Sequence, residues 1–352
     1  LEFRRVLFRS IKLAIDLGSW VTKIYKSGCG VVLAEATCAA IEQLPGSGRY
    51  TVKFLGDKAR ALSGRAAQNT HIINPVVDGD IIHGDIVADL LRYFLEKIEI
   101  NHRRARKTEV VFVLPCGAKP ELKQKYFNLA DDCNIGKVYF TQAPFAAVLG
   151  HNVPLSESTP VFSVDIGYGL TNIAAFSLDG VIAGMSLNLG GGNIDVHLMD
   201  FMAENYNLRI GALTAERLKN TVGSFLPDDN KLMVVDGRDV SSGAPASVAV
   251  TTSQIYDVLA LYIDKIIEYV VLMISQLPAE VASAVMHSGV YLSGGLSKME
   301  GLADYFSTKL KITANTFDEP QLAAVIGAGM VISSDYFTNK VATQRSEERR
   351  VG

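Results

Sequence analysis

Two short segments of the sequence carry an aspartate two residues before a glycine, each directly after a predicted strand. They are Asp16-Leu17-Gly18-Ser19 and Asp165-Ile166-Gly167-Tyr168-Gly169. Glycine lets backbone amides fold closely around phosphate oxygens, and a carboxylate just before it can hold Mg2+ or its bound water. A single such turn is common in ordinary hairpins. A matched pair predicts that two turns bind a polyphosphate and its magnesium from two sides.

Other nucleotide-binding motifs do not occur in the sequence. It has no GxxxxGK[ST] loop, and protein-kinase signatures are missing. Gly167-x-Gly169-x-x-Asn172 lacks the third glycine of a dinucleotide fingerprint, and a strand rather than a helix is predicted after it. The paired turns therefore carry the phosphate-binding hypothesis.

The elements around the two turns repeat a single plan. Each aspartate turn joins the first two of three predicted strands, and a second tight turn joins the second strand to the third. The strands are residues 12–15, 21–25 and 31–34 in the first copy, and 161–164, 171–177 and 181–185 in the second. Residues 145–150 (FAAVLG) and 322–327 (LAAVIG) form another matched pair, of small-residue helical segments. Two matches in the same order predict a duplicated lobe.

Strand and helix patterns alternate between these markers. Residues 110–114 form a buried type of strand, and helices are predicted at 121–133 and 253–276. The sequence therefore predicts an α/β fold of two lobes flanking a nucleotide cleft, each with a small insert. The predicted first lobe spans residues 11–150 with its insert at about 32–69, and the second spans 151–335 with its insert at about 187–250.

The composition of the 352 residues is that of a globular protein, with 48% hydrophobic and 20% charged residues. The formal net charge of -3 gives no reason to expect nucleic-acid binding. The four cysteines form no CxxC pair and no histidine has metal-ligand spacing, so reduced thiols in a cytoplasmic protein are predicted. No apolar run reaches the ~20 residues of a membrane span.

The two ends of the chain do not fit the repeated plan. Residues 1–10 (LEFRRVLFRS) and 345–352 (RSEERRVG) both contain the tripeptide RRV. We interpret them as sequence foreign to the fold or as disordered tails. The alternative for the first is a basic amphipathic membrane anchor, because Phe3, Val6 and Leu7 can share one helix face.

Five ordered segments are similar to the nucleotide motifs of the actin, heat-shock chaperone and sugar kinase ATPases. They are the two aspartate turns, Gln142-Ala143-Pro144, Leu292-Ser293-Gly294-Gly295 and Ala324-Val325-Ile326-Gly327. Further segments resemble the MreB family of bacterial actin homologues, namely residues 206–211 (YNLRIG), 214–219 (TAERLK), 223–224 (GS), 237–239 (GRD) and 243–245 (GAP). The resemblance runs from about residue 11 to residue 333.

This resemblance implies an ATP or ADP site with Mg2+. Asp16 and Asp165 would hold the magnesium ion, largely through water. Phosphates would be contacted by Gly18, Ser19, Trp20, Lys23, Gly167, Tyr168 and Gly169, ribose and phosphates by Gly192 and Asn193 at a helix start, and ribose or base by Glu216, Lys219, Gly294, Gly295 and Met299. For Glu216 and Lys219, three residues apart on one helix face, a solvated surface is the alternative.

The chain departs from the MreB pattern at three positions. Gln142 stands where MreB proteins have glutamate, and it can orient an attacking water but is a poor general base. Tyr168 replaces a glycine of the second phosphate turn, and Leu170 replaces a threonine. With Gln142, Asp16 and Asp165 as the candidate catalytic residues, we expect slow hydrolysis of ATP to ADP and phosphate, coupled to filament assembly.

The resemblance implies a cytoskeletal protein that polymerises into filaments and organises cell shape through cell-wall machinery. A non-hydrolysing actin-like scaffold and, less favoured, a small-molecule kinase of the same superfamily are the alternatives. The predicted partners are copies of the chain itself and membrane-bound cell-wall or division proteins, without nucleic acid.

The segment 101–107 (NHRRARK) concentrates positive charge. It is interpreted as a solvated loop or as a docking segment for an anionic membrane, through Arg103, Arg104, Arg106 and Lys107. The second interpretation would place a cytoplasmic protein peripherally at the inner face of the cell membrane.

Overall fold

The computed structural model describes residues 10–43, 50–155, 159–177 and 180–338. The predicted tails, apart from Ser10, lie outside these residues. The chain divides into two compact units. Unit 1 comprises Leu1–Pro154 together with Leu322–Gly352, and unit 2 comprises Leu155–Gln321.

The described residues form short strands and longer helices in alternation. The strands are β1 (Ile11–Leu17), β2 (Val21–Lys26), β3 (Gly30–Ala36), β4 (Ala39–Gln43), β5 (Tyr50–Leu55), β6 (Thr70–Ile73), β7 (Val76–Val77), β8 (Asp80–Ile81), β9 (Thr108–Leu114), β10 (Lys137–Gln142), β11 (Val161–Ile166), β12 (Thr171–Ser177), β13 (Gly180–Leu187), β14 (Leu208–Arg209), β15 (Leu232–Asp239), β16 (Pro245–Thr251), β17 (Val290–Ser293) and β18 (Ala314–Asn315). The helices are α1 (Asp57–Arg60), α2 (Gly84–Lys97), α3 (His102–Ala105), α4 (Pro120–Asp132), α5 (Ala143–Gly150), α6 (Gly191–Tyr206), α7 (Ala212–Val222), α8 (Thr252–Gln276), α9 (Ala279–Ser288), α10 (Leu302–Leu310) and α11 (Ala323–Ser333), with a 3-10 turn at Gly295–Lys298.

Each unit is built on a five-stranded sheet of the same design. In unit 1 the spatial order is β3-β2-β1-β9-β10, and in unit 2 it is β13-β12-β11-β17-β18. The first three strands of each order pair antiparallel, and the remaining two continue the sheet in parallel. The prediction of a duplicated α/β lobe is therefore confirmed.

Burial explains why the central strands are so apolar. All six residues of β11 are buried, as are Leu13, Ala14 and Ile15 of β1. A parallel-type strand covered on both faces needs a nearly continuous hydrophobic run rather than an alternating one. Each unit has its own core, around Phe112 and Tyr126 in unit 1 and around Phe162 and Phe306 in unit 2.

Small sheets accompany the large ones. In unit 1, β5-β4-β6 form a three-stranded sheet next to α1, and in unit 2 the small sheet is β14-β15-β16. The first insert was predicted from residue 32, but the small sheet begins at Ala39. The reason is that β3 pairs with β2 and completes the large sheet.

The predicted second lobe, residues 151–335, included helix α11, and this assignment is wrong. The helix belongs to unit 1, where it packs across α5 and on β1. A Cβ atom on Gly327 would lie 1.7 Å from the Ala146 carbonyl oxygen, and one on Gly150 would lie 2.0 Å from that of Ala323. The two similar helical segments thus cross each other with backbones in contact. Their shared glycine is the residue that permits the crossing.

The segment 101–107 also differs from the loop predicted there. Asn101 accepts a hydrogen bond from the Arg104 amide and thereby caps the one-turn helix α3. Arg103, Arg104, Arg106 and Lys107 are all exposed. Among the described residues, no helix combines the length and the apolar character that crossing a bilayer requires.

We expect Gly327→Ala to destabilise unit 1 by about 1–3 kcal/mol, because the added methyl group forces the two crossing helices apart. Thermal unfolding followed by circular dichroism measures the effect. Gly84→Ala is the matched control, since a Cβ atom there meets no atom within 4 Å. Equal melting temperatures for the two variants would contradict the crossing.

Candidate functional site

The first aspartate turn lies at the end of the β1–β2 hairpin in unit 1. Asp16 and Lys23 stand opposite each other in the hairpin register, with Lys23 Nζ 2.8 Å from Asp16 Oδ2. Both side chains are more than four-fifths buried, at 18% and 16% exposure. Gly18 makes the turn possible, because a Cβ atom there would lie 2.8 Å from the Val21 carbonyl oxygen. The structure therefore brings the predicted aspartate, glycine and lysine together, with the lysine charge already paired.

The two residues after Gly18 contact other parts of unit 1. The Ser19 hydroxyl accepts a hydrogen bond from the Gly79 amide at 3.4 Å. The Trp20 ring lies under the guanidinium of Arg60, a residue that the sequence reasoning did not select. No sequence pattern links these two positions, since they lie on different elements forty residues apart.

The second aspartate turn follows β11 in unit 2. Asp165 is 9% exposed and has a partner on each neighbouring strand. Ser293 Oγ of β17 donates to Asp165 Oδ1 at 3.1 Å, and Asn172 Nδ2 of β12 donates to Oδ2 at 3.4 Å. Ser186 in turn donates to the Asn172 side-chain oxygen at 2.6 Å. Neutral donors therefore orient this carboxylate, whereas an ammonium group orients Asp16.

The turn after Asp165 packs on the first residues of α6. The Gly191 amide donates to the Gly167 carbonyl at 3.0 Å, and the Gly192 amide donates to the Tyr168 carbonyl at 2.8 Å. Asn193 Oδ1 accepts from the Gly190 amide at 2.8 Å. The structure thus joins the predicted turn and the predicted helix start into one backbone assembly. The first amides of the helix therefore already donate hydrogen bonds to carbonyl groups of the protein.

Tyr168, which replaces a family glycine, packs against this assembly. A Cβ atom on Gly192 would come within 2.9 Å of its ring, and one on Gly190 would come within 2.3 Å of its carbonyl oxygen. Two of the three consecutive glycines therefore accommodate Tyr168. The ring packs on the start of α6, and the backbone of Gly167 and Tyr168 closes onto the helix.

A buried ion pair lies directly beneath the helix start. Lys219 Nζ is 2.7 Å from Asp195 Oδ1 and donates to the Gly191 carbonyl at 2.9 Å. Side-chain exposure is 5% for Lys219 and 1% for Asp195. Burial raises the pKa of the Asp195 carboxyl to about 6, although the Lys219 ammonium pulls it part of the way down. The structure thus places Lys219, predicted to contact ribose or base, under the start of α6, while Glu216 on the same helix is half-buried.

Asp195 was missed by the sequence reasoning, although a signal for it exists. It lies three residues before Leu198 and seven before Met202, on the apolar stripe of α6, and both of those residues are fully buried. A carboxylate on a buried helix face requires a partner of opposite charge or a strong donor. In the structure that partner is the buried ammonium group of Lys219.

The remaining predicted contacts of unit 2 follow β17. Gly294 has a φ of +86°, and a Cβ atom on it would lie 2.3 Å from the Ile166 carbonyl oxygen, so this turn lies against the end of β11. Gly295 is exposed, and Met299 packs its methyl group near Gly223. Gly294 therefore lies beside the second aspartate turn, as the pairing of Asp165 with Ser293 requires, whereas the described neighbour of Met299 is Gly223.

Gln142, the predicted water-orienting residue, ends β10 and precedes α5. Its side-chain oxygen accepts a hydrogen bond from the Cys116 thiol at 3.2 Å. Burial raises the pKa of that thiol to about 11, so it remains a protonated donor at neutral pH. The Gln142 amide is thereby held in one orientation.

The donors available for a metal are sparse. Within the described ranges, no group of three or more histidine, cysteine, aspartate or glutamate side chains is close enough to bind one ion. Each aspartate turn offers a single carboxylate. Magnesium keeps several waters and commonly takes only one or two carboxylates beside phosphate oxygens, so these residues fit such an ion.

A family model described as MreB/Mbl protein matches residues 10–340. The chain belongs to the MreB/Mbl family. It is 30% identical to the cell shape-determining protein MreB of Escherichia coli K12, over 91% of this chain and 92% of that protein. It is 26% identical to the cell shape-determining protein Mbl of Bacillus subtilis 168, over 92% of this chain and 96% of that protein.

Solved structures show the same fold for this MreB/Mbl protein. MreB5 of Spiroplasma citri bound to AMPPNP superposes with a TM-score of 0.87 at 23% identity, covering 95% of this chain and 98% of that one. The MamK double helical filament gives a TM-score of 0.75 at 19% identity, covering 92% and 99%. The prediction of an actin-like fold is confirmed.

We expect Lys219→Met to destabilise this MreB/Mbl protein by about 3–5 kcal/mol at pH 7.5, because it leaves the Asp195 charge buried without a partner. The loss should be smaller at pH 5. Between about pH 4 and 6 the folded wild type binds more protons at Asp195 than the unfolded chain, so this group's contribution to stability falls as the pH rises through that window. Without Lys219 the pKa of Asp195 in the folded protein rises further. The free energy of unfolding of the variant therefore falls further below that of the wild type as the pH rises above 6.

Urea unfolding at both pH values measures this difference. Arg217→Met is the control, since Arg217 is exposed on the same helix. A deficit that stays the same at pH 5 and pH 7.5 would contradict the buried-pair interpretation.

Proposed function

We propose that this protein binds ATP with Mg2+ and polymerises into filaments that organise cell shape. One observation carries the proposal. An aspartate-glycine turn ends the corresponding strand in each of two sheets that share one strand order. A glycine turn that follows an aspartate in each sheet suits the binding of phosphate oxygens and Mg2+ better than an ordinary hairpin does.

The relatives support the same proposal. MreB5 of Spiroplasma citri has been solved bound to AMPPNP and to ADP, and MamK as a double helical filament. The relatives from Escherichia coli and Bacillus subtilis are cell shape-determining proteins. These relatives support three proposed properties of this chain, namely nucleotide binding, self-association and a role in cell shape.

The proposed roles follow from the surroundings of each residue. Asp165 and Asp16 would hold magnesium through water, and that ion would neutralise charge on the phosphates. Amides of Gly18, Ser19, Trp20, Tyr168 and Gly169 would contact phosphate oxygens, while the Gly167 amide closes its own turn by donating to the Leu170 carbonyl at 2.8 Å. Gly192 and Asn193 would support the second of these turns, and Glu216, Gly294, Gly295 and Met299 would contact ribose or base.

Lys219 and Lys23 contribute in a different manner. Lys219 is occupied by Asp195 and the Gly191 carbonyl, so we propose that it stabilises the phosphate turn from below. Lys23 forms an ion pair with Asp16. Its ammonium would therefore contact a phosphate while it stays paired with the Asp16 carboxylate.

Hydrolysis is proposed to be slow and to depend on Gln142. A glutamine can orient the attacking water but does not take its proton effectively, and phosphoryl transfer depends mainly on positioning and charge stabilisation. The Gln142 oxygen already accepts a hydrogen bond from Cys116. This contact favours, as the second candidate function, a filament scaffold that does not hydrolyse ATP. Phosphate release measured during assembly separates the two functions.

Asp165→Asn should weaken ATP-dependent assembly, with about a 10–100-fold loss in apparent affinity for Mg-ATP. The amide keeps the shape of the side chain but loses the charge that attracts the ion. Light scattering and a phosphate-release assay on the same samples measure assembly and turnover. Asp304→Asn removes an exposed carboxylate from the same unit and should behave as the wild type. Wild-type protein that neither binds ATP nor scatters light would overturn the proposed function.

Peripheral binding at the inner face of the cell membrane, together with membrane-bound cell-wall or division partners, completes the proposal. The exposed positive charges at the start of α3 and just after it support this location. Each Lys or Arg near an anionic surface contributes ~1 kcal/mol, and a filament repeats the contact along its length.

Replacing Arg103, Arg104 and Arg106 with glutamate should abolish co-sedimentation of filaments with phosphatidylglycerol-containing liposomes. The control replaces Arg217, Arg238 and Lys311 with glutamate, which makes the same change in net charge at exposed positions of unit 2. This control variant should still co-sediment with the liposomes. Equal binding by both triple variants would remove this segment from the proposal.

A further inference from the structure

Arg60 makes two contacts with Trp20, the last residue of the first phosphate turn. Its guanidinium carbon lies 3.9 Å from the centre of the Trp20 ring, within range of a cation–π interaction. Its Nη2 atom also donates a hydrogen bond to the Trp20 carbonyl oxygen. One side chain thus holds both the ring and the backbone of the same turn residue.

Arg60 is itself fixed by the way α1 is attached to the large sheet. Asp57, the first residue of α1, accepts a hydrogen bond from the Ala36 amide at 3.0 Å and donates its own amide to Glu35 at 3.2 Å. Glu35 is 5% exposed and is also bound by Lys97 of α2. Arg60, at the other end of this one-turn helix, therefore reaches Trp20 from an anchored base.

The Trp20 carbonyl receives a second donor from the same region. The Thr37 amide donates to it at 3.0 Å, and the Thr37 hydroxyl lies 2.8 Å from that of Thr22, where both are fully buried. Two donors from beyond the end of β3 therefore hold the carbonyl at the end of the turn. Of these, Arg60 is the one that carries a charge.

We propose that Arg60 is a positioning residue for phosphate binding, which acts on the turn of Gly18, Ser19 and Trp20 through Trp20. This inference rests on the proposed nucleotide binding and adds to it a residue outside the turn. The guanidinium is committed to the ring and the carbonyl, so it orders the turn rather than touching the ligand. Its positive charge beside the turn also favours an anion there.

The experiment uses Arg60→Met, which keeps an apolar stem but loses the charge and the donors, and Arg60→Lys, which keeps the charge. Trp20 is the only tryptophan in the sequence, so tryptophan fluorescence reports on the surroundings of this one residue. Equilibrium dialysis with labelled ATP gives the affinity independently. Arg65→Met is the control, because Arg65 is exposed in the same segment.

We expect Arg60→Met to weaken ATP binding about tenfold and Arg60→Lys about threefold. The reason is that the turn is less well ordered when Trp20 loses the stacked, hydrogen-bonded guanidinium. In Arg60→Met the emission of the free protein should already differ from that of the wild type, and its response to ATP should shrink. Arg65→Met should match the wild type in both measurements.

The possible failures are distinguishable. If the wild type binds no ATP in dialysis, the proposed function fails and this inference fails with it. If the wild type binds ATP but Arg60→Met binds within twofold of Arg65→Met, the positioning role alone is overturned. If Arg60→Met melts more than about 10 °C below the wild type, the test uses Arg60→Lys instead. The positioning role is then overturned if Arg60→Lys binds ATP as tightly as the wild type and has the same tryptophan emission.

Discussion

Backbone contact between the turn after β11 and the start of α6 is the constraint on which the candidate site of unit 2 depends. The contact leaves no room for a Cβ atom on Gly190, and it joins the Gly167 and Tyr168 carbonyls to the first amides of the helix. The turn therefore cannot move without the helix. Because Lys219 holds the Gly191 carbonyl and Asp195 holds Lys219, the turn is also tied to α7 through a pair excluded from water.

The internal repeat accounts for how much of the fold the sequence predicts. Strands β1–β3 and β11–β13 are local hairpins, so apolar runs and turn residues are enough to predict them. The Asp-x-Gly turns follow directly, because they lie at the ends of these hairpins. Both repeated helical segments were recognised, but their shared glycine gives no indication of which helix each one crosses. For that reason the sequence assigns residues 323–333 to the second lobe, predicted as 151–335, although α11 belongs to unit 1.

The parts of the site that escaped prediction depend on contacts between distant elements. Lys219 shares the buried face of α7 with Ala215 and Val222, but only the structure shows that Asp195 of α6 is the partner that neutralises it. Arg60 lies in a short helix without a distinctive pattern, and its partner Trp20 is forty residues away. The Cys116–Gln142 hydrogen bond joins two strand ends that are adjacent only after β9 and β10 pair. Sequence spacing fixes what each turn contains, whereas tertiary packing decides which side chains surround it.

The two copies differ most where their chemistry would matter. Asp16 faces Lys23 seven residues later, and Asp165 faces Asn172 seven residues later, at the same register in the two hairpins. On the parallel side, Asp16 faces Val113 while Asp165 faces Ser293. The Asp16 carboxylate thus pairs with an ammonium, whereas the Asp165 carboxylate accepts hydrogen bonds from Ser293 and Asn172. The same hairpin position carries a lysine in one copy and an asparagine in the other, so the two turns surround their aspartates with different chemistry.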